Sequence, residues 1–246
     1  MINVVNSELF KLRTTRTFLA LFGIALAIVL VASICICAFV NFNGEDVSNE
    51  ILGIVFGPIV RALALVIGIL AVTNEFRHGT ITPTLLVVPD RVRLMLSKLV
   101  AVLALALALG FVSGAIMVGS SAIFGELRDF DGSQYAGALL IGMTVGTALN
   151  AALGVGVGVL VRNQVGAIVG ILIYGFILED LIGLIPWVRD WLPKYGLGGV
   201  SNALSGVYGD DADFLSQPVA GLLLALYAAI VMAIGLVVMR RRDVTA

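Results

Sequence analysis

Side chains that could do chemistry are few in this chain of 246 residues. The lysines are Lys11, Lys98 and Lys194, and none of them ends a G-x-x-x-x-G-K-[ST] loop that would hold nucleotide phosphates. The single histidine, His78, cannot form a histidine-rich metal site, and neither H-E-x-x-H nor G-x-S-x-G occurs. The sequence therefore predicts a protein with no catalytic site and no metal site of its own.

Three charged residues within apolar stretches form a second candidate group. A charge at the centre of a membrane-spanning helix costs at least about 2.5–3.5 kcal/mol on insertion scales, so Arg61 needs a partner, water or the interface. Glu179 and Asp180 are the acidic residues at the nearest expected depth. We predict that one of them pairs with Arg61, where the pair could also line a substrate path; the alternative is that Arg61 extends unpaired to the interface.

The composition excludes a typical soluble domain. The chain is 60% hydrophobic and 13% charged, with mean hydropathy +1.08, whereas soluble domains carry about 25% charged residues. Six apolar stretches reach the roughly 20 residues that cross about 30 Å of hydrocarbon. We predict an all-α, polytopic membrane protein, one transmembrane domain over residues 1–246, with spans at about 18–40, 51–73, 99–124, 136–161, 165–185 and 219–239. The first is too long for a signal-peptide core and is interpreted as a retained span.

Basic residues are distributed unequally between the two sides of these spans. Of the 15 Lys and Arg, eleven lie on the side that holds both termini. By the positive-inside rule, both termini and the segment 74–98 are predicted to be cytoplasmic, in a protein of the cell membrane. Residues 1–17 mix apolar and basic side chains, which is typical of an interfacial helix.

The longest charged passage between two apolar stretches is Asn74 to Lys98. Residues 84–88 at its centre are apolar, which favours a short surface helix over residues 80–88 rather than a flexible linker. On a partner, Leu85, Leu86 and Val87 would supply contact area. Charged residues of the same segment would set the orientation: Glu75, Arg77, Arg91 and Arg93. The alternative role of its basic residues is to fix topology and contact phospholipid headgroups.

Tryptophans and a glycine run distinguish the second half of the chain. Trp187 and Trp191 occur where a membrane boundary is expected, and the segment 186–218 is predicted to form short re-entrant or interfacial helices. Gly154 and Gly158 have the G-x-x-x-G spacing within the densest glycine run, which predicts a tight helix crossing.

The order of these features resembles the permease subunit of a type-2 ATP-binding-cassette (ABC) exporter, over nearly the whole chain. The most specific part is an E-x-x-x-G-T, then L-L-x-x-P-x-R, then K pattern, which in that family marks the loop bearing the coupling helix. The residues of this predicted coupling loop are Glu75, Arg77, His78, Gly79, Thr80, Leu85, Leu86, Pro89, Arg91 and Lys98.

The resemblance implies separate cytoplasmic ABC ATPase subunits that bind ATP and Mg, and a second permease, identical or homologous. We expect no cofactor on this chain, contact with membrane lipid and no nucleic-acid partner. The predicted function is export of an amphipathic or hydrophobic substrate such as a drug, lipid or peptide, because the spans offer apolar walls and few charges. Two alternatives stay open: a secondary transporter or channel, for which the spans hold few ionisable residues, and a non-transporting membrane scaffold.

Overall fold

In the computed structural model of the protein, the regular elements of the described residues are all helical. The described residues are 2–39, 48–128, 136–188, 191–205 and 214–241, without the side chains of 48–50, 128, 176, 180, 193, 240 and 241. The elements are α1 (Ile2–Thr14), α2 (Arg16–Phe39), α3 (Ser48–Arg77), α4 (Ile81–Val87), α5 (Arg91–Arg128), α6 (Ala136–Val161), α7 (Gln164–Ile173), a π-helical turn (Tyr174–Leu178), α8 (Glu179–Gly183), α9 (Leu192–Tyr195), α10 (Leu197–Ala203) and α11 (Gln217–Arg241).

Among the described residues, five helices are long and apolar enough to cross a membrane: α2, α3, α5, α6 and α11. The predicted span 165–185 differs from these, because it consists of α7, the π-helical turn and α8 in succession. A backbone that changes to i→i+5 hydrogen bonding interrupts the α-helix at that turn, which contains Gly175. Helix length alone therefore does not confirm the predicted count of six spans.

The charged passage between the second and third predicted spans is more helical than expected. α3 continues to Arg77 and α5 begins at Arg91, so the connection outside these two long helices is only residues 78–90. A membrane-spanning helix need not end where its apolar stretch ends, because its polar turns remain hydrogen-bonded outside the hydrocarbon. This extension makes α4 a short helix held between two long ones.

α6 occupies the centre of the bundle and packs against α3, α5 and α11. Its bounds coincide with the predicted span 136–161, and it is the most buried of the five long helices. Glycines permit this close packing: a Cβ on Gly154 would lie 2.1 Å from the carbonyl oxygen of Leu65, and one on Gly158 would lie 3.0 Å from that of Ile69. Larger residues at these positions would force α6 away from α3.

Side-chain contacts identify which ends of the helices lie together. Lys11 of α1 reaches Glu75 at the end of α3, and Arg91 at the start of α5 reaches the carbonyl of Met239 near the end of α11. We call this the loop end of the bundle. At the opposite end, Gln217 at the start of α11 donates to the carbonyls of Ala138 and Leu204, which ties α6 and α10 together.

Candidate functional site

α4 presents apolar side chains to its surroundings at the loop end. Ile81, at its start, is buried and anchors the helix on the core, and Leu85 is half-buried against that core. Leu86 and Val87 are 80% and 82% exposed. An exposed apolar pair on a surface otherwise rich in charges is a feature of protein contact sites. The short helix thus has one face fixed to the bundle and another available for a partner.

The turns on either side of α4 are fixed by local bonds. Gly79 has φ 66°, a left-handed conformation that glycine adopts without strain and that lets the chain leave α3 sharply. On the other side, the Asp90 carboxylate accepts hydrogen bonds from the amides of Val92 and Arg93 at 3.0 and 3.2 Å. These bonds satisfy amides at the start of α5 and define where that helix begins.

The remaining residues of the predicted coupling loop divide into an exposed and an inward-facing group. Arg77, His78, Thr80 and Pro89 are exposed, and Arg77 Nη1 donates to Gln164 Oε1 at 3.0 Å across the loop end. Arg91 is half-buried, and its Nη1 donates to the Met239 carbonyl at 2.7 Å. Arg91 therefore fastens α5 to α11 rather than lying free on a docking surface.

Glu75 requires a larger correction. The sequence pattern favoured an exposed residue that orients a partner, but Glu75 is buried at the end of α3 and its carboxylate points towards two lysines. Lys98 Nζ lies 2.6 Å from Glu75 Oε1, and Lys11 Nζ lies 3.0 Å from the same oxygen. Burial of a carboxylate without such partners would be strongly unfavourable. The two lysines are therefore what allows Glu75 to face inward.

A closed ring of four salt bridges results when Glu8 of α1 is included. Lys98 Nζ lies 2.6 Å from Glu8 Oε2, and Lys11 Nζ lies 2.7 Å from Glu8 Oε1. Only 2% of the Lys98 side chain and 6% of the Glu8 side chain are exposed, against 46% for Lys11. We call Glu8, Lys11, Glu75 and Lys98 the charge ring. It joins α1, α3 and α5 directly beside the connection that carries α4.

Burial and pairing act in opposite directions on the charge ring. Burial alone raises the pKa of the Glu8 carboxyl, but the charge of Lys98 and hydrogen bonds from Lys11 and Lys98 outweigh it, so this pKa is lowered. Burial likewise acts to lower the pKa of Lys11, but its bonds to Glu8 and Glu75 raise it overall. Both groups are therefore charged at neutral pH. The stabilisation from Glu8 is lost as pH falls through its lowered pKa.

Sequence reasoning missed two members of this ring, Glu8 and Lys11. A signal was present, because Glu8 is the single acidic residue among residues 1–17. One carboxylate in a basic amphipathic helix is a candidate for an internal partner, whereas its basic neighbours can contact lipid. Its partner Lys98 is 90 positions away in the chain, however, and spacing cannot indicate such a contact.

At the opposite end of the bundle, Arg61 and Glu179 hold the two ends of α10. Arg61 is buried; its Nη1 donates to the Ser201 carbonyl, and its Nη2 donates to Asn202 Oδ1 at 2.7 Å. The carboxylate of Glu179 accepts from the Gly198 amide at 2.8 and 2.9 Å. Helix ends leave amides and carbonyls unsatisfied, and here a carboxylate and a guanidinium bind them.

The surroundings of Arg61 and Glu179 therefore differ from the predicted direct pair of Arg61 with Glu179 or Asp180. The hydrogen bonds given above connect Arg61 and Glu179 to the two ends of α10, and a direct pair between them stays a prediction. The side chain of Asp180 lies outside the described residues. We call the arrangement of Arg61, α10 and Glu179 the α10 clamp.

A cavity of about 580 Å³ lies beside the α10 clamp. Its walls come from α3, α6, the segment from α7 to α8, α9 and α10, together with Phe214, and both Arg61 and Glu179 line it. Most of the lining is apolar, as at Leu65 and Leu172, and Asn150 of α6 adds an amide. Asn150 Nδ2 donates to the Gly146 carbonyl at 2.9 Å, so part of its hydrogen-bonding capacity is used within α6.

The family of the chain is decided by comparison with known families. A family model described as "ABC-2 family transporter protein" matches residues 4–178, well over half of the chain. The chain belongs to the ABC-2 transporter family. A comparison with curated proteins found no match. Together with the five long apolar helices, membership makes this ABC-2 transporter protein a multi-pass membrane protein, and it implies partnership with ABC ATPase subunits.

The extent of the match separates the two candidate regions of this ABC-2 transporter protein. The charge ring and α4 lie entirely within residues 4–178. The match ends one residue before Glu179, so α8, α9 and α10 lie outside it. The charge ring and α4 therefore belong to what the chain shares with its family, whereas α10 and Glu179 of the α10 clamp lie beyond the matched range.

Proposed function

We propose that this chain is the permease subunit of an ATP-driven ABC exporter in the cell membrane. It forms the translocation path for an amphipathic or hydrophobic substrate. Separate ABC ATPase subunits bind ATP and Mg and hydrolyse the nucleotide, while this chain binds no cofactor and has no catalytic site. A second permease, identical or homologous, completes the assembly.

The observation that carries this proposal is the geometry of α4. The helix presents Leu86 and Val87 outward, and both of its flanking helices are fixed by the charge ring. A partner that pushes on α4 therefore acts on α3, α5 and α1 together, because a rigid connection transmits displacement better than a flexible loop. This is what a coupling helix between an ATPase and a membrane domain requires.

The membrane arrangement follows from the same elements. α7, the π-helical turn and α8 together cover residues 164–183, about 30 Å at 1.5 Å per residue, which is enough for a sixth span. Exposed apolar residues recur along this segment at Val165, Val169, Ile173, Ile177 and Leu181. With six spans and the predominance of basic residues at the loop end, both termini are cytoplasmic.

α1 lies at the cytoplasmic interface in this arrangement. Glu8 and Leu12 are buried on the bundle, whereas Ile2 and Phe10 are exposed apolar residues beside the exposed Arg13. Apolar and basic side chains on one surface suit the boundary between headgroups and acyl chains. On the outer side, α10 is a short re-entrant helix, in keeping with its buried residues Val200 and Ala203.

Purification from native membranes in mild detergent tests the proposal. A P-loop ATPase is expected to accompany the tagged chain, and Leu86→Asp is expected to lower the retained ATPase about tenfold, since a charge at the centre of a contact removes 1.4 kcal/mol or more. The matched control is Leu127→Asp, because Leu127 is 73% exposed but lies at the other end of α5. Absence of an ATPase, or equal loss in both variants, would contradict the proposal.

A further inference from the structure

The cavity beside the α10 clamp is formed by one chain. Its lining residues belong to α3, α6, the α7–α8 segment, α9 and α10, together with Phe214 just before α11. A volume of about 580 Å³ falls within the roughly 300–1,000 Å³ typical of sites for small molecules. The space between these elements is therefore large enough for a small molecule.

Arg61 and Glu179, the charged residues in the described part of the cavity wall, both bind α10. Arg61 donates to the Ser201 carbonyl and to Asn202 Oδ1, and Glu179 accepts from the amides of Gly198 and Gly199. Among the described residues that line the cavity, one positive and one negative group leave no net charge. A ligand with a net charge would either enter without a counter-charge or compete with α10 for its partners, and both are unfavourable in an apolar enclosure.

Neutral polar groups are present in the same wall. Asn150 lies midway along α6 and faces Ser201, with 3.4 Å between Asn150 Nδ2 and Ser201 Oγ. That long distance leaves the amide and the hydroxyl able to accept a better partner. Elsewhere the wall is aliphatic, as at Leu65, Leu172 and Leu197.

We propose that this cavity binds an uncharged, mostly apolar molecule with one hydrogen-bonding group, and that Asn150 and Ser201 recognise that group. The inference rests on the proposed function only in treating the molecule as cargo. The chain is expected to bind this molecule without an ATPase. A failure to bind would therefore contradict this inference but not the proposed coupling through α4. Two sources share this chemistry: a neutral lipid of the bilayer and a neutral drug-like compound.

Photolabelling with three probes that have the same alkyl chain length tests whether the cavity prefers an uncharged ligand. The probes are a diazirine-bearing fatty alcohol, the corresponding fatty acid and the corresponding alkyl trimethylammonium, each added to the purified protein in nanodiscs. The alcohol is expected to label peptides containing Ile171 and Leu197 about tenfold more than either charged probe. Equal labelling of these peptides by a charged probe would overturn the proposal.

Substitution of two matched glycines tests whether the probe binds in this cavity. Gly175 lines the cavity and Gly170 does not, yet a Cβ at either position meets no other atom within 4 Å. Gly175→Phe is expected to lower labelling about tenfold, and Gly170→Phe to leave it unchanged. Ala62→Phe fills the cavity from α3 and gives a second variant if Gly175→Phe fails to fold. Unchanged labelling in a folded cavity variant, or an equal loss with Gly170→Phe, would refute the site.

Competition then distinguishes the two sources. Diacylglycerol is the competitor for a neutral lipid, and progesterone is the competitor for a neutral drug-like compound. Reduced labelling of the Ile171 and Leu197 peptides by either competitor supports the cavity and identifies its source. Unchanged labelling with both competitors in excess would overturn it.

Discussion

Lys98 is the residue on which the loop end depends most. Its ammonium is almost fully buried and has two carboxylate partners at 2.6 Å, Glu8 and Glu75. Removing the charges of Lys98 and its two partners from water is costly. Each carboxylate also forms a salt bridge with Lys11, which offsets part of this cost. Two carboxylates and two ammonium groups leave the ring neutral, so removal of any member leaves an uncompensated charge.

A comparison of Lys98 with Lys11 tests the charge ring. Lys98→Met is expected to lower the free energy of unfolding by about 3–5 kcal/mol, because it leaves two buried carboxylates with one partner. Lys11→Met should cost less than about 1 kcal/mol, since 46% of its side chain is exposed and solvent screens its pairs. Chemical unfolding in detergent measures both. Equal losses would contradict the charge ring, whereas recovery in Glu8→Gln with Lys98→Met would support it.

Sequence reasoning did not predict this ring. It placed Glu75 and Lys98 in the motif of the coupling loop but not in contact with each other. A motif of spaced residues does not define which side of a helix the bundle covers, so it did not indicate that these two residues face inward. Glu8 shows the same limit, since the packing of α1 against α5 is a tertiary contact that no local pattern encodes.

At the scale of elements, α10 is held by groups that reach it from two other helices. Arg61 comes from α3 and Glu179 from α8, and each binds backbone groups that a seven-residue helix leaves unsatisfied at its ends. Gly196 and Gly198 leave room for the carboxylate, since a Cβ at Gly196 would lie 2.2 Å from Glu179 Oε1. The wall of the cavity is therefore ordered by the clamp.

Hydrogen exchange of α10 tests this role of Glu179. Glu179→Ala is expected to accelerate amide exchange in residues 198–204 about tenfold or more, because a hydrogen bond to a charged group contributes about 1.5–3 kcal/mol. Tyr227→Phe is the control, since the Tyr227 hydroxyl binds the Tyr195 carbonyl of α9 and not α10. Unchanged exchange in Glu179→Ala, or equal acceleration in the control, would contradict the clamp.

Elements were predicted best where the apolar pattern is continuous. The bounds of α6 coincide with the predicted stretch 136–161, because these small and apolar residues follow polar residues such as Asp131 and Gln134 in the sequence and precede Arg162. The segment 164–183 was harder, because a π-helical turn changes hydrogen bonding without changing hydropathy. Short helices such as α9 and α10 depend on tertiary partners, so the sequence indicated their presence between residues 186 and 218 but not their bounds.

At the scale of the whole molecule, α3 connects the two candidate regions. It carries Glu75 in the charge ring and Arg61 in the α10 clamp, 14 residues apart, which is about 21 Å along a helix axis. In the proposed exporter, closure of the ATPases displaces α4, and the charge ring passes that displacement to α3. Tilting of α3 then moves Arg61 relative to α10 and changes access to the cavity.

In the proposed exporter, an ATPase does work on this chain through α4. The rate of ATP hydrolysis by the co-purified ATPase in liposomes tests this coupling when it is measured with the wild-type chain, with no chain and with Leu86→Asp. Hydrolysis is expected to rise when the wild-type chain is present and to return to the rate of the ATPase alone with Leu86→Asp. Equal rates with and without the chain, or full stimulation by Leu86→Asp, would contradict coupling through α4.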